Sequence, residues 1–166
     1  MLPIKIEDVK GFTSQLFLHE GFDSFLLKEA QIVTFGAVSI DGRLRKGYFL
    51  TQELEELGDE PYAPWKLWRP RFFDLIKGKR LPERFLIVLQ LDLKQSEAFG
   101  REFGLEKENL PSLYLNIRYE DGTLYCITGV SMNVFTLDKT IEREWDRRGE
   151  LLLKKMGIAF TGQQGA

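Results

Sequence analysis

Cations interleaved with aromatic rings are the side chains that hold anions, by charge and by stacking, and residues 61–85 are rich in both. Lys66, Arg69, Arg71, Lys77, Lys79, Arg80 and Arg84 lie there with Tyr62, Trp65, Trp68, Phe72, Phe73 and Phe85. Seven cations against Asp74 and Glu83 leave this segment at +5, whereas residues 51–60 carry five acids and no base. The candidate binding residues are therefore Lys77, Lys79, Arg80, Arg69 and Trp65, a basic rim flanked by tryptophan. The same cations also have a structural rationale. Lys77, Lys79 and Arg80 follow a predicted helix, whose carboxyl end favours positive charge, and Trp65 and Trp68 are expected to cover the core edge. The segment reads first as a buried corner with a basic rim.

Elsewhere the sequence mostly excludes chemistry, and no catalytic residue can be named. The single histidine, His19, closes the first predicted helix, with no serine or cysteine motif to partner it. One His and one Cys rule out cysteine-rich zinc patterns and the HExxH motif, which leaves only an all-carboxylate metal site; no carboxylate cluster in the sequence supports one, so no metal site is proposed and no cofactor is implied. Cys126 falls on the apolar face of a predicted strand, where a thiol is an inert core group. Gly78-Lys79 lacks the glycine, the hydroxyl and the strand-to-helix context of a phosphate loop. Glu142, Asp146 and Glu150 share a stripe with Arg143 and Arg147 and read as a solvated, salt-bridged helix face.

The elements that must position these residues follow from periodicity. Ile6, Val9, Phe12, Leu16 and Phe17 recur at helical spacing, predicting an amphipathic helix over 6–18. Asp41-Gly42 predicts a two-residue turn within a hairpin over 31–50, and Asp121-Gly122 a second, setting Ile117 opposite Cys126 and Tyr119 opposite Leu124. Residues 84–93 are apolar on both alternating faces and predict a central strand covered on both sides. Pro70 predicts a turn at 64–68 and a helix that begins at Pro70 itself. A short helix is expected after residue 93, ending near Gly104, and a long closing helix over 138–156, stopped by Gly157. The order suits an α+β fold: an antiparallel or mixed sheet of about five strands, two hairpins plus the central strand, with three or four helices packed on it. One domain is expected over 1–160, with a flexible tail at 161–166.

The 166 residues, 43% hydrophobic and 29% charged, are enough for a core that needs no staples. A net charge of −2 argues against a nucleic-acid-coating surface. The lone cysteine points to a reducing cytosol, and the most apolar run, 85–91, is far short of the ~20 residues of a membrane span.

Trp65, Arg69-Pro70, Phe72 or Phe73 and "LIKGKRLPERF" at 75–85 resemble the central signature of a family of short uncharacterised proteins from Clostridia and related anaerobic Firmicutes. "SIDGRL" at 39–44 and "FTLDKTIEREWD" at 135–146 resemble its flanking signatures. The resemblance implies a standalone cytoplasmic protein of a Gram-positive anaerobe, and no activity.

Three functions stay in competition. The first is a non-enzymatic binding or interaction protein whose basic rim meets an acidic protein, a nucleotide or a small anion. The second is an enzyme with a sheet-helix pocket of carboxylates, Arg43, Arg45, Tyr114 and Tyr125. The third is an oligomeric structural protein, a homo-oligomer burying one face of the first hairpin, where Ile32, Val38 and Ile40 lie opposite Val33, Phe35 and Tyr48.

Overall fold

The computed structural model describes residues 1–162. In chain order its strands and α-helices are β1 (Pro3–Ile6), α1 (Val9–Phe17), β2 (Phe25–Val33), β3 (Ala37–Asp41), α2 (Thr51–Leu57), α3 (Trp65–Ile76), β4 (Arg84–Leu91), α4 (Leu93–Glu102), β5 (Ser112–Glu120), β6 (Thr123–Ser131), α5 (Thr140–Lys155) and β7 (Phe160–Gly162). The strands form one antiparallel sheet in the order β3-β2-β4-β5-β6-β1-β7. The fold is α+β, with seven strands and five α-helices among the described residues rather than the expected five or so strands and three or four helices.

The two extra strands come from the ends of the described chain. Ile4 and Ile6 alternate with exposed Lys5, a period of two that places Pro3–Ile6 against β6 and takes Ile6 out of the helix. Asp8 then caps α1, its carboxylate accepting from the Gly11 N–H at 2.9 Å. Phe160–Gly162 pairs with β1 on its other side, so residues 161 and 162 belong to the sheet and not to a tail. Residues 163–166 of the expected tail lie outside the described residues.

The second hairpin has the expected register, Ile117 opposite Cys126 and Tyr119 opposite Leu124. Asp121 and Gly122 turn it at φ 53° and 74°, the left-handed pair the turn requires. The first hairpin does not turn where its Asp-Gly pair suggests. The chain reverses at residues 34–36, between β2 and β3, and Asp41-Gly42 leaves the sheet edge instead. The Gly42 N–H donates to the Lys28 carbonyl at 2.9 Å, and a Cβ at Gly42 would lie 1.8 Å from the Leu27 carbonyl oxygen. That glycine serves a close backbone approach at the β2 bulge between Leu27 and Glu29.

Pro70 is inside α3 and does not begin it. The amide it lacks would have bonded the Lys66 carbonyl, and both residues are exposed, so water can take that carbonyl. Trp65 and Phe72, seven residues apart, are fully buried and fix the helix across the proline, with Trp68, Phe73 and Ile76 half-buried beside them. α2, over the acidic run, buries no residue, and no apolar stripe announces it.

Helices α1, α3, α4 and α5 place Phe12, Leu16, Trp65, Phe72, Phe99, Trp145 and Leu153 into the core formed with one sheet face, that of Leu27, Phe85, Ile87, Ile117 and Cys126. α5 is tied to the sheet by Thr128, which is fully buried, donates to Asp146 at 2.5 Å and accepts from the Leu2 N–H at 2.9 Å. The opposite face is mostly open, though Leu26 and Val88 on it are buried. In register across it run Ser39, Gln31, Leu86, Arg118, Tyr125, Lys5 and Thr161. β4 is interior, as expected, but covered on one side only at Leu86, which is 39% exposed. No helix among the described residues is long and apolar enough to cross a membrane.

Candidate functional site

The five residues of the basic rim do not converge. Trp65 is fully buried and its indole N–H donates to the Leu16 carbonyl at 2.9 Å, so it joins α3 to α1 and offers no face to a ligand. Arg69 is mostly covered, its guanidinium donating to the His19 carbonyl and lying 3.5 Å from Asp23. Lys77 ends the helix beside Asp74, at 2.9 Å. Lys79 and Arg80 are exposed in the following loop and form no ion pair with a described residue. Of the rim, only these last two present free cations.

The residues suggested for an enzyme pocket are dispersed as well. Arg43 and Arg45 lie against Asp41, at 2.9 and 3.5 Å. Tyr114 sits on the open sheet face with Lys28 Nζ 4.8 Å from its ring centre, while Tyr125 is in the next strand, level with Arg118. His19 is exposed. Burial pushes the Cys126 thiol up to about 12, so no thiolate forms near neutral pH. On α5, Glu144 is lowered to about 2, first by its hydrogen bond from Arg147 and then by Arg148; of the expected acidic stripe, Glu142 pairs with the Met1 amino group and Lys139, whereas Asp146 accepts from Thr128 instead of forming an ion pair.

A different set of carboxylates does converge. Between α2, the start of α3 and the β2–β4 end of the sheet lies a cleft of about 300 Å³. Asp23, Glu53, Glu56, Glu60 and Asp92 line it with one cation, Lys66, over an apolar floor that includes Phe25, Leu26, Phe49 and Leu57. Local structure explains part of this gathering. Asp92 caps α4, accepting from the Gln95 N–H at 2.8 Å, and Glu60 Oε1 accepts from the Leu93 N–H at 2.9 Å, so both carboxylates serve the positive end of that helix. Glu53 accepts from the Leu50 N–H at 2.9 Å at the start of α2.

Two oxygens have no such use. Asp23 Oδ1 and Glu60 Oε2 are buried and lack any hydrogen-bond partner. The Glu60 carboxyl is raised above its ordinary range, first by burial and then by the charges of Asp92 and Glu97, against the lowering effect of the Leu93 N–H. Among the described residues no group of three or more His, Cys, Asp or Glu is arranged to hold a metal ion. The cleft is thus a negative, partly desolvated pocket with an apolar base. The five acids of residues 51–60 were its only signal in the sequence; Asp23 and Asp92 reach it from elements far along the chain.

No curated protein and no solved structure matches this chain. A family model, described as a family of unknown function, matches residues 15–161, a span that includes all three segments carrying the resemblance noted above. By that match over most of its length, the chain belongs to the family of unknown function DUF5721.

Proposed function

We propose that this protein is a non-enzymatic binding protein whose acidic cleft takes a cationic group, an ammonium or guanidinium carried on an apolar stem. The observation that carries the reading is the pair of buried, unpartnered carboxylate oxygens on Asp23 and Glu60 in the cleft wall. A buried polar atom without a partner costs on the order of 1–3 kcal/mol, more when charged. A cation in the cleft would reach the Glu60 carboxylate, and the Asp23 carboxylate beside Arg69, once their side chains turn toward it, giving charge-assisted bonds, and Phe25, Leu26 and Phe49 would cover the stem. The absence of a ligand-spaced carboxylate group among the described residues favours an organic cation over a metal ion.

Calorimetric titration with spermidine tests this. Wild type is expected to bind, with affinity falling as salt rises, and Glu60→Gln to bind about tenfold more weakly, the loss of one charge-assisted bond. No binding by wild type, or equal binding by the variant, overturns it.

A second reading rests on Lys79 and Arg80, exposed and unpaired beyond α3. We keep for them the anionic partner expected from the sequence, an acidic protein, nucleotide or small anion, now without Trp65 and Arg69. Replacing Lys77, Lys79 and Arg80 together by Ala should leave the fold intact, because exposed charges contribute little to stability. Polyphosphate should bind wild type at low salt and not the triple variant; equal behaviour of the two removes the loop as a site. A cytoplasmic setting in an anaerobic Firmicute is part of the same proposal, supported by the resemblance and the lone thiol.

A further inference from the structure

We infer that β3 is a dimerisation edge, along which a second copy of this chain adds its own β3 and joins the two sheets across a two-fold axis. This stands independently of the cleft. The sheet has two edges, and they are built differently. Among the described residues β7 spans only Phe160–Gly162, three residues. β3 has five residues, pairs only with β2, and contains no lysine, proline or bulge of the kind that blunts an edge. Its residues are exposed apart from the half-buried Ile40, and Val38 is 40% exposed.

The side-chain pattern says which strand would fit. Val38 and Ile40 lie on the helix-bearing side, level with Ile32 and Ala30, while Ala37, Ser39 and Asp41 lie on the open side. Antiparallel self-pairing that uses all five residues must centre on Ser39. Each Val38 then faces the second copy's Ile40, each Asp41 faces the second copy's Ala37, and Ser39 faces itself. Apolar meets apolar on one side and no carboxylate meets another on the other, so the strand is complementary to its own copy.

Analytical ultracentrifugation of the full chain tests the inference. Wild type is expected to sediment as a dimer. Ser39→Lys and Ser39→Glu, at an exposed position that leaves the fold unchanged, each place like charges opposite one another and should weaken the dimer about tenfold. An equimolar mixture of the two variants should recover it, because lysine then faces glutamate. That recovery also shows both variants to be folded. A monomeric wild type, a dimer unaffected by either substitution, or a mixture that stays dissociated overturns the inference.

Discussion

Trp65→Ala is expected to lower the unfolding free energy by about 3–5 kcal/mol, as the loss of a fully packed aromatic does. Trp65 has no exposed surface, and its ring lies 4.9 Å from Phe72 and 6.2 Å from Phe17 between centroids. Its N–H also holds the Leu16 carbonyl at the end of α1. Alanine removes the packing and the donor together. Trp65→Phe keeps much of the packing and should cost less, its residual near the ~1–3 kcal/mol of a carbonyl left unpaired. Urea denaturation of the three proteins measures both steps. A loss below about 1 kcal/mol for the alanine variant would place the indole at the surface and return Trp65 to the binding rim.

Gly42→Ala should be the more damaging of two alanine substitutions at Asp-Gly pairs. Its new Cβ would meet the Leu27 carbonyl oxygen at 1.8 Å and the Leu27 carbonyl carbon at 2.7 Å, backbone atoms that cannot rotate away. β2 would have to move at its bulge, at the upper end of overpacking costs, about 3 kcal/mol or more. Gly122→Ala meets nothing within 4 Å and suffers only from its φ of 74°, a cost of about 1–2 kcal/mol. Thermal or chemical denaturation of the pair decides between close approach and turn conformation as the role of Gly42. A larger loss for Gly122→Ala would contradict the geometry.

Those two glycines also mark what could be read in advance. Both follow aspartate between apolar runs, and sequence treats them alike. Only Gly122 makes the turn the dipeptide prefers, because Leu113–Tyr119 and Leu124–Val130 alternate cleanly on either side and leave one register. Around Gly42 the flanks are less selective. Phe25–Leu27 extend β2 well before the expected start, and the reversal passes to residues 34–36. Pro70 misled for a related reason: the local rule against proline in a helix costs one hydrogen bond, and burial of Trp65 and Phe72 outweighs it. The long closing helix and its Gly157 stop were legible because a sixteen-residue stripe averages over such local conflicts.

The candidate site was legible only as a charge run. Residues 51–60 announce five acids, but their meaning depends on Asp23 and Asp92, which the sheet and the α4 cap deliver from distant segments. In the basic run, Trp65, Trp68, Phe72, Phe73 and Phe85 pack into or against the core and Arg69 lies by Asp23. Spacing along the chain cannot separate an aromatic that stacks on a ligand from one that closes a helix pair.

Titration of the Glu60 side-chain carboxyl by NMR, with and without spermidine, tests the cleft most directly. Burial and like charges raise this group in the folded protein. Its stabilising contribution is therefore fully present below the unfolded pKa and is lost as pH rises through the higher folded value, where an uncompensated charge forms. A bound cation favours the ionised carboxylate, so spermidine should pull the Glu60 pKa down, and spermidine affinity should rise with pH across the same interval. The account predicts a free-state pKa above the ordinary glutamate range that falls when the amine binds; a Glu60 that titrates in the ordinary range and does not respond to the amine would contradict it.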